Sequence, residues 1–102
     1  MFTRIVKMRF KQEKVAAFKA HFESVRERVE NQPGCSLVIL YQDKKDTNLF
    51  FTYSIWDKDS DLNTYRNSDF FKDVWQETKQ LFDGKPEAWS INEIPSLNAE
   101  KN

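Results

Sequence analysis

Three side chains in this sequence have the chemistry to move a proton or hold an anion beside an apolar surface: His21, Tyr65 and Arg66. Imidazole changes charge near neutral pH, phenol donates a hydrogen bond, and guanidinium carries a permanent positive charge. His21 is next to Phe22, at the edge of the apolar stripe of the first helical pattern. A histidine there is either a boundary residue with one ring edge in water or a group reaching into a cavity as base or donor. Tyr65 and Arg66 fall at a break between two short helical patterns, where side chains are free to point into a cavity mouth. Around them stand rings. Phe18, Trp56, Phe71 and Trp75 form the candidate substrate-binding wall, since small-molecule sites are apolar pockets with a few convergent polar groups. Phe71, Trp75 and Phe82 at helical spacing also read as ordinary core. Tyr53, Ser54 and Asn92, on strands, are further polar candidates.

Other chemistries find little support. A protein-built zinc or iron site takes three or four ligands, and this chain has one histidine, one cysteine and no carboxylate cluster at ligand spacing, so no metal is expected. Nucleotide cofactors need a glycine-rich turn for close approach of backbone to phosphate; Gly34 and Gly84 are isolated turn glycines. Cys35 would need a base and a lowered pKa to act as nucleophile. At a turn-to-strand junction after Pro33-Gly34 it reads instead as a small buried residue. A single cysteine allows no internal disulfide, and the expected compartment is the cytoplasm.

Sixteen Lys and Arg balance sixteen Asp and Glu among 102 residues, giving zero net charge without a basic stripe. Nucleic acid, which needs clustered cations against its phosphates, is therefore not an expected partner. The N-terminal residues lack a long apolar core with a small-residue cleavage site, and no run reaches membrane-span length. One domain over residues 1–95 with a polar, frayed tail over 96–102 fits this length.

The elements that must position the candidate groups follow in order. Phe2 to Phe10 alternates, with Phe2, Val6, Met8 and Phe10 on one face, Arg4 the exception among them. From Lys11 to Asn31 the period changes: Val15, Phe18, Phe22, Val25 and Val29 form the stripe of an amphipathic helix. Gln32-Pro33-Gly34-Cys35 predicts a type II turn, with glycine where φ must be positive. Cys35–Gln42 and Leu49–Trp56 read as strands joined by a polar loop. A short helix carrying Leu62 and Tyr65 follows, and Ser68-Asp69 starts a longer one that reaches Phe82. Asp83-Gly84-Lys85-Pro86 stops it, and Ala88 to Ile94 is a last strand. The order is β-α-β-β-α-β: an α+β, ferredoxin-like antiparallel sheet with its helices on one face.

The central strands are apolar on both sides, whereas a sheet with one wet face should alternate. Helices on one face leave the other uncovered. A second copy packed sheet to sheet, in a twofold homodimer, is the expected cover.

The pattern Asn31-Gln32-Pro33-Gly34-Cys35, then Thr52-Tyr53-Ser54-Ile55-Trp56, then Tyr65-Arg66-Asn67-Ser68-Asp69-Phe70-Phe71 resembles the antibiotic biosynthesis monooxygenase family over about residues 3–94. The resemblance implies a dimeric α/β barrel with a pocket between sheet and helices in each subunit. It also implies oxidation of a phenolic or quinol-like molecule by O2 without metal or flavin, so no cofactor is expected. The haem-degrading members use an asparagine on the first strand, a tryptophan in the broken helical region and a histidine on the next helix. Val6 or Lys7, Tyr65 and Trp75 stand at those places here, and His21 is on the other helix, so haem degradation is not implied. The alternative on the same fold is a non-catalytic dimer that binds a small molecule.

Overall fold

Alternation in the first ten residues becomes strand β1 (Phe2–Arg9), an inner strand of a four-stranded antiparallel sheet. The computed structural model describes residues 1–98. After β1 come a 3-10 turn (Gln12–Lys14), α1 (Val15–Glu30), β2 (Cys35–Gln42), β3 (Leu49–Trp56), α2 (Asp59–Arg66), α3 (Asp69–Lys79), β4 (Glu87–Ile91) and α4 (Pro95–Asn98). The strand order β2-β3-β1-β4 inserts β3 between the two strands that α1 connects, the split arrangement expected of this element order.

Register sorts the side chains into rows that cross the sheet. Leu40, Thr52, Val6 and Ala88 form one row; Val38, Ser54, Arg4 and Ser90 form the next. Both rows face the helices. At one end of this face Met8, Phe10, Phe18 and Phe50 are buried together. Phe10 stacks on Phe18 at 3.9 Å between centroids, and Phe50 meets both edge-on at 5.7 and 5.2 Å. Each such ring removed from water contributes about 1.5–3 kcal/mol, so this cluster anchors α1 to the sheet.

The opposite face carries the rows Ile39–Tyr53–Ile5–Trp89 and Leu37–Ile55–Thr3–Ile91. Tyr41, Trp89 and Ile91 on this side are 51%, 43% and 44% exposed. Tyr53, a polar candidate for the pocket, is on this face, edge-on to Tyr41 at 6.3 Å. The strand's period of two decides that, because its neighbours Thr52 and Ser54 take the helix side.

Local signals hold at the turns. Gly34 has φ of +84°, and Cys35 N–H donates to Gln32 O at 3.0 Å, closing the expected turn. Ser68 caps α3 by accepting from Phe71 N–H at 3.1 Å.

Three boundaries differ from expectation. α3 ends at Lys79, so Phe82 is not on a helix. Instead Phe82 bridges Phe10, Lys11 N–H donates to Leu81 O, and Asp83 N–H donates to Arg9 O. Backbone bonds to the end of β1 and ring contacts to Phe10 and Trp75, at 5.4 and 5.5 Å, outweigh one more helical turn. The last strand covers Glu87–Ile91 rather than Ala88–Ile94, which leaves Asn92 in exposed coil. Where a frayed tail was expected over 96–102, one helical turn runs from Pro95 to Asn98; the remainder of the tail lies outside the described residues. No helix among the described residues is long and apolar enough to cross a membrane.

Candidate functional site

Beyond the Phe10 cluster the sheet and helices diverge around a cavity of about 290 Å³. Val6, Thr52 and Trp56 line it from the sheet, Phe22 from α1, Tyr65 from α2 and Trp75 from α3. Ligand pockets run from about 300 Å³ upward, so this space suits a molecule of one or two fused rings.

The wall is a ladder of rings. Trp56, 1% exposed, ends β3 with its indole N–H donating to Ser54 Oγ at 3.0 Å. Tyr65 stacks on it at 5.3 Å, with ring planes 25° apart. Phe71 meets Tyr65 edge-on at 5.0 Å and stacks on Trp75 at 5.9 Å. Ser68 sets this course: its hydroxyl donates to Tyr65 O at 2.6 Å while accepting from Phe71 N–H. One side chain thus closes α2 and opens α3, turning Tyr65 and Phe71 toward each other. Phe18 also lines the cavity, although at 2% exposure and stacked on Phe10 it belongs as much to the core.

The polar groups differ in what they have free. Tyr65 makes no hydrogen bond through its hydroxyl to any described residue. Burial, with a smaller contribution from the negative charge Cys35 would carry, holds its phenol well above the usual range. It is therefore a neutral hydrogen-bond donor and a poor base.

His21 is not the solvated boundary residue; its side chain is 8% exposed. Nε2 stands 3.0 Å from Thr78 Oγ1 and 3.2 Å from Val74 O, and Nδ1 stands 3.3 Å from Glu77 Oε2. Thr78 spends its own proton on Val74 O at 2.7 Å, so Nε2 carries the hydrogen that both acceptors share. Both nitrogens are taken by α3. A role as base would require breaking one of these contacts.

Cys35 is half-buried, with Sγ donating to Leu37 O at 3.6 Å, and burial pushes its thiol up, away from nucleophile chemistry. Among the described residues no three His, Cys, Asp or Glu side chains come together as a metal would require.

The arrangement of sheet, broken helix and ring-lined cavity has relatives. The family model described as antibiotic biosynthesis monooxygenase matches residues 1–77, three quarters of the sequence. The chain belongs to the antibiotic biosynthesis monooxygenase family. Among solved structures, a conserved protein from Methanosarcina mazei Go1 is 23% identical, with a TM-score of 0.84 over 91% of this chain and 93% of that one. An antibiotic biosynthesis monooxygenase is 17% identical, with a TM-score of 0.86 over 93% and 100%. A protein from Pseudomonas aeruginosa is 18% identical, with a TM-score of 0.80 over 91% and 93%. Identities this low show a shared fold. No protein of curated function matches the sequence.

On this antibiotic biosynthesis monooxygenase fold, His21, Tyr65, Arg66, Phe18, Trp56, Phe71 and Trp75 all line one cavity, as does Ser54. Tyr53 and Asn92 do not join them. Among the further lining residues, Thr78 and Arg4 were not candidates. Thr78 is buried and locks His21 to α3, and its helical spacing from Phe71 and Trp75, which sets the three on one face, was the signal for it. Arg4 stands on the helix-facing side of β1, and its signal was present as the charge interrupting an apolar alternation.

Proposed function

We propose that this chain oxidises a small phenolic or quinol-like aromatic molecule with O2, as a cofactor-independent monooxygenase acting between sheet and helices. The observation that carries the reading is Tyr65: an unpartnered neutral hydroxyl on a ring ladder, in a cavity sized for one or two rings. Membership of the family supports it, as does the name of one similar structure.

In this reading the substrate supplies the electrons. The Arg66 guanidinium at the cavity mouth favours the ionised phenol over the neutral one, and the Tyr65 O–H donates to the oxyanion. The anion passes one electron to O2, and the radical pair combines at a ring carbon as a hydroperoxide. The proton lost at the start returns to the peroxide. At a methylene centre the hydroperoxide then loses water and leaves a carbonyl, so one oxygen atom enters product and the other leaves as water. No separate reductant is required. Trp56, Phe71, Trp75 and Phe18 hold the rings in place, which is where orientation contributes to rate. His21 serves by fixing α3, and with it Trp75, against α1.

The proposed working unit is a homodimer packed sheet to sheet. The apolar rows on the outer face, with Trp89 and Ile91 nearly half exposed, support this. Such surface is otherwise left in contact with water.

A second reading, binding of a small aromatic molecule without turnover, is favoured by one observation: both His21 nitrogens are engaged by α3. Oxygen uptake with a panel of hydroquinones and anthrones separates the two. Consumption of O2 in step with substrate is expected. Ligand-induced thermal stabilisation without O2 uptake would replace the first reading with the second.

A further inference from the structure

We infer that the cavity takes an aromatic ligand bearing a fixed oxyanion, a carboxylate or a phosphate, held between Arg4 and Arg66. This rests on the reading of the cavity as the ligand site and names the class of ligand within it.

The first observation is where Arg4 stands. It occupies the helix-facing side of an inner strand, with Ser54 beside it on β3 and Ser90 on β4. Its only hydrogen bond among the described residues runs from Nη1 to Ser90 Oγ at 3.0 Å. A guanidinium has five N–H donors and no means of losing its charge in a protein. A single neutral hydroxyl leaves most of those donors, and all of the charge, without a partner. Arg66 lines the same cavity from the end of α2 and makes no ion pair among the described residues.

The other charged groups around the cavity do not offset these two. Glu87 is bridged to Lys7 at 3.7 Å, and His21 faces Glu77. The unpaired charges on the cavity wall are therefore both positive, and they are close enough to act on each other. Burial first and then the charge of Arg66 hold Arg4 below its ordinary range. Two like charges set together beside an apolar wall are unfavourable until an anion joins them.

The count matters for the ligand. One cation suffices for the single phenolate oxygen of the proposed reaction. A second cation that lines the same cavity and feels the charge of the first fits a permanently ionised substituent with oxygens enough for both. Guanidinium matches carboxylate and phosphate oxygens with paired N–H bonds, and Ser54, beside Arg4, has a hydroxyl hydrogen not spent on Trp56.

Three probes of one ring system test this: naphthoate, naphthyl phosphate and naphthalenemethanol, followed by titration calorimetry. The anionic probes are expected to bind about tenfold or more tighter than the neutral alcohol, and the tighter of the two identifies the oxyanion. Arg4→Gln is expected to remove that preference while leaving the alcohol's affinity in place, and Arg4→Lys to restore part of it. If Arg4→Gln does not fold, Arg66→Gln, on an exposed helix end, is expected to reduce the same preference. Equal affinities for the three probes would overturn the oxyanion site and leave the cavity standing as a ligand site. Binding of none of them would remove both.

Discussion

Tyr65 lies stacked on Trp56, their ring centroids 5.3 Å apart, with the tyrosine hydroxyl bonded to no described residue. The stack joins the end of β3 to the break between α2 and α3. The ring is therefore structural, and the hydroxyl is spare. Tyr65→Phe keeps the stack, so stability should stay within about 0.5 kcal/mol of wild type. Turnover of a phenolic substrate should fall about a hundredfold, the usual loss for an oxyanion donor. Steady-state O2 uptake beside urea unfolding checks both, and unchanged turnover would take Tyr65 out of the mechanism.

The same burial predicts a limb in alkaline stability. Below its ordinary 10 the Tyr65 phenol is neutral in folded and unfolded chains alike, and its contribution is fully present. Above 10 the unfolded chain ionises first, while the folded chain, its phenol held higher, stays neutral. Stability therefore falls as pH rises past 10. Urea midpoints from about pH 9 to 11 should fall more steeply for wild type than for Tyr65→Phe.

His21 ties α1 to α3 through its Nε2–H, which Thr78 Oγ1 and Val74 O share. His21→Ala should lower stability by about 2 kcal/mol, since Thr78 and Val74 lose a buried partner. It should also loosen Trp75, seen as a change in its fluorescence. A variant with wild-type stability and no turnover would instead return His21 to the role of base.

Gly34 is required twice over. Its φ of +84° is open to few other residues, and a Cβ there would strike the Asp61 carboxylate. Gly34→Ala should cost at least about 1–2 kcal/mol from the backbone alone. Adding Asp61→Ala should recover only some of the steric part, because the Asp61 Cβ itself lies 2.6 Å from that position, and should leave the backbone part. A double variant no more stable than Gly34→Ala would mean that Asp61 moves aside freely.

The outer face of the sheet predicts assembly. Wild type should sediment as a dimer at micromolar concentration. Ile39→Asp, in the row with Tyr53, Ile5 and Trp89, should give a monomer, because a carboxylate cannot be buried there unpaired. A wild-type monomer would end the dimer proposal.

Much of this was legible in the residues. Alternation in Phe2–Phe10 and the stripe from Val15 to Val29 determined β1 and α1, because a side chain's direction follows from backbone period alone. Gly34 and Ser68 marked their turn and cap for equally local reasons. Tyr65 and Arg66 were found at a helix break by the same kind of argument. What tertiary structure decided was everything that depends on partners distant along the chain. His21 became a strut because Val74, Glu77 and Thr78 arrive from another helix, more than fifty positions away. Phe82 left its helix because the end of β1 offered backbone bonds and a ring to pack on. Arg4 was visible as an exception on an apolar face, but only the pairing of β1 with β3 and β4, and the approach of α2, set it in a cavity beside a second arginine. Period and turn chemistry act over a few residues, whereas the charge and shape of a cavity are sums over elements that meet only when the chain has folded.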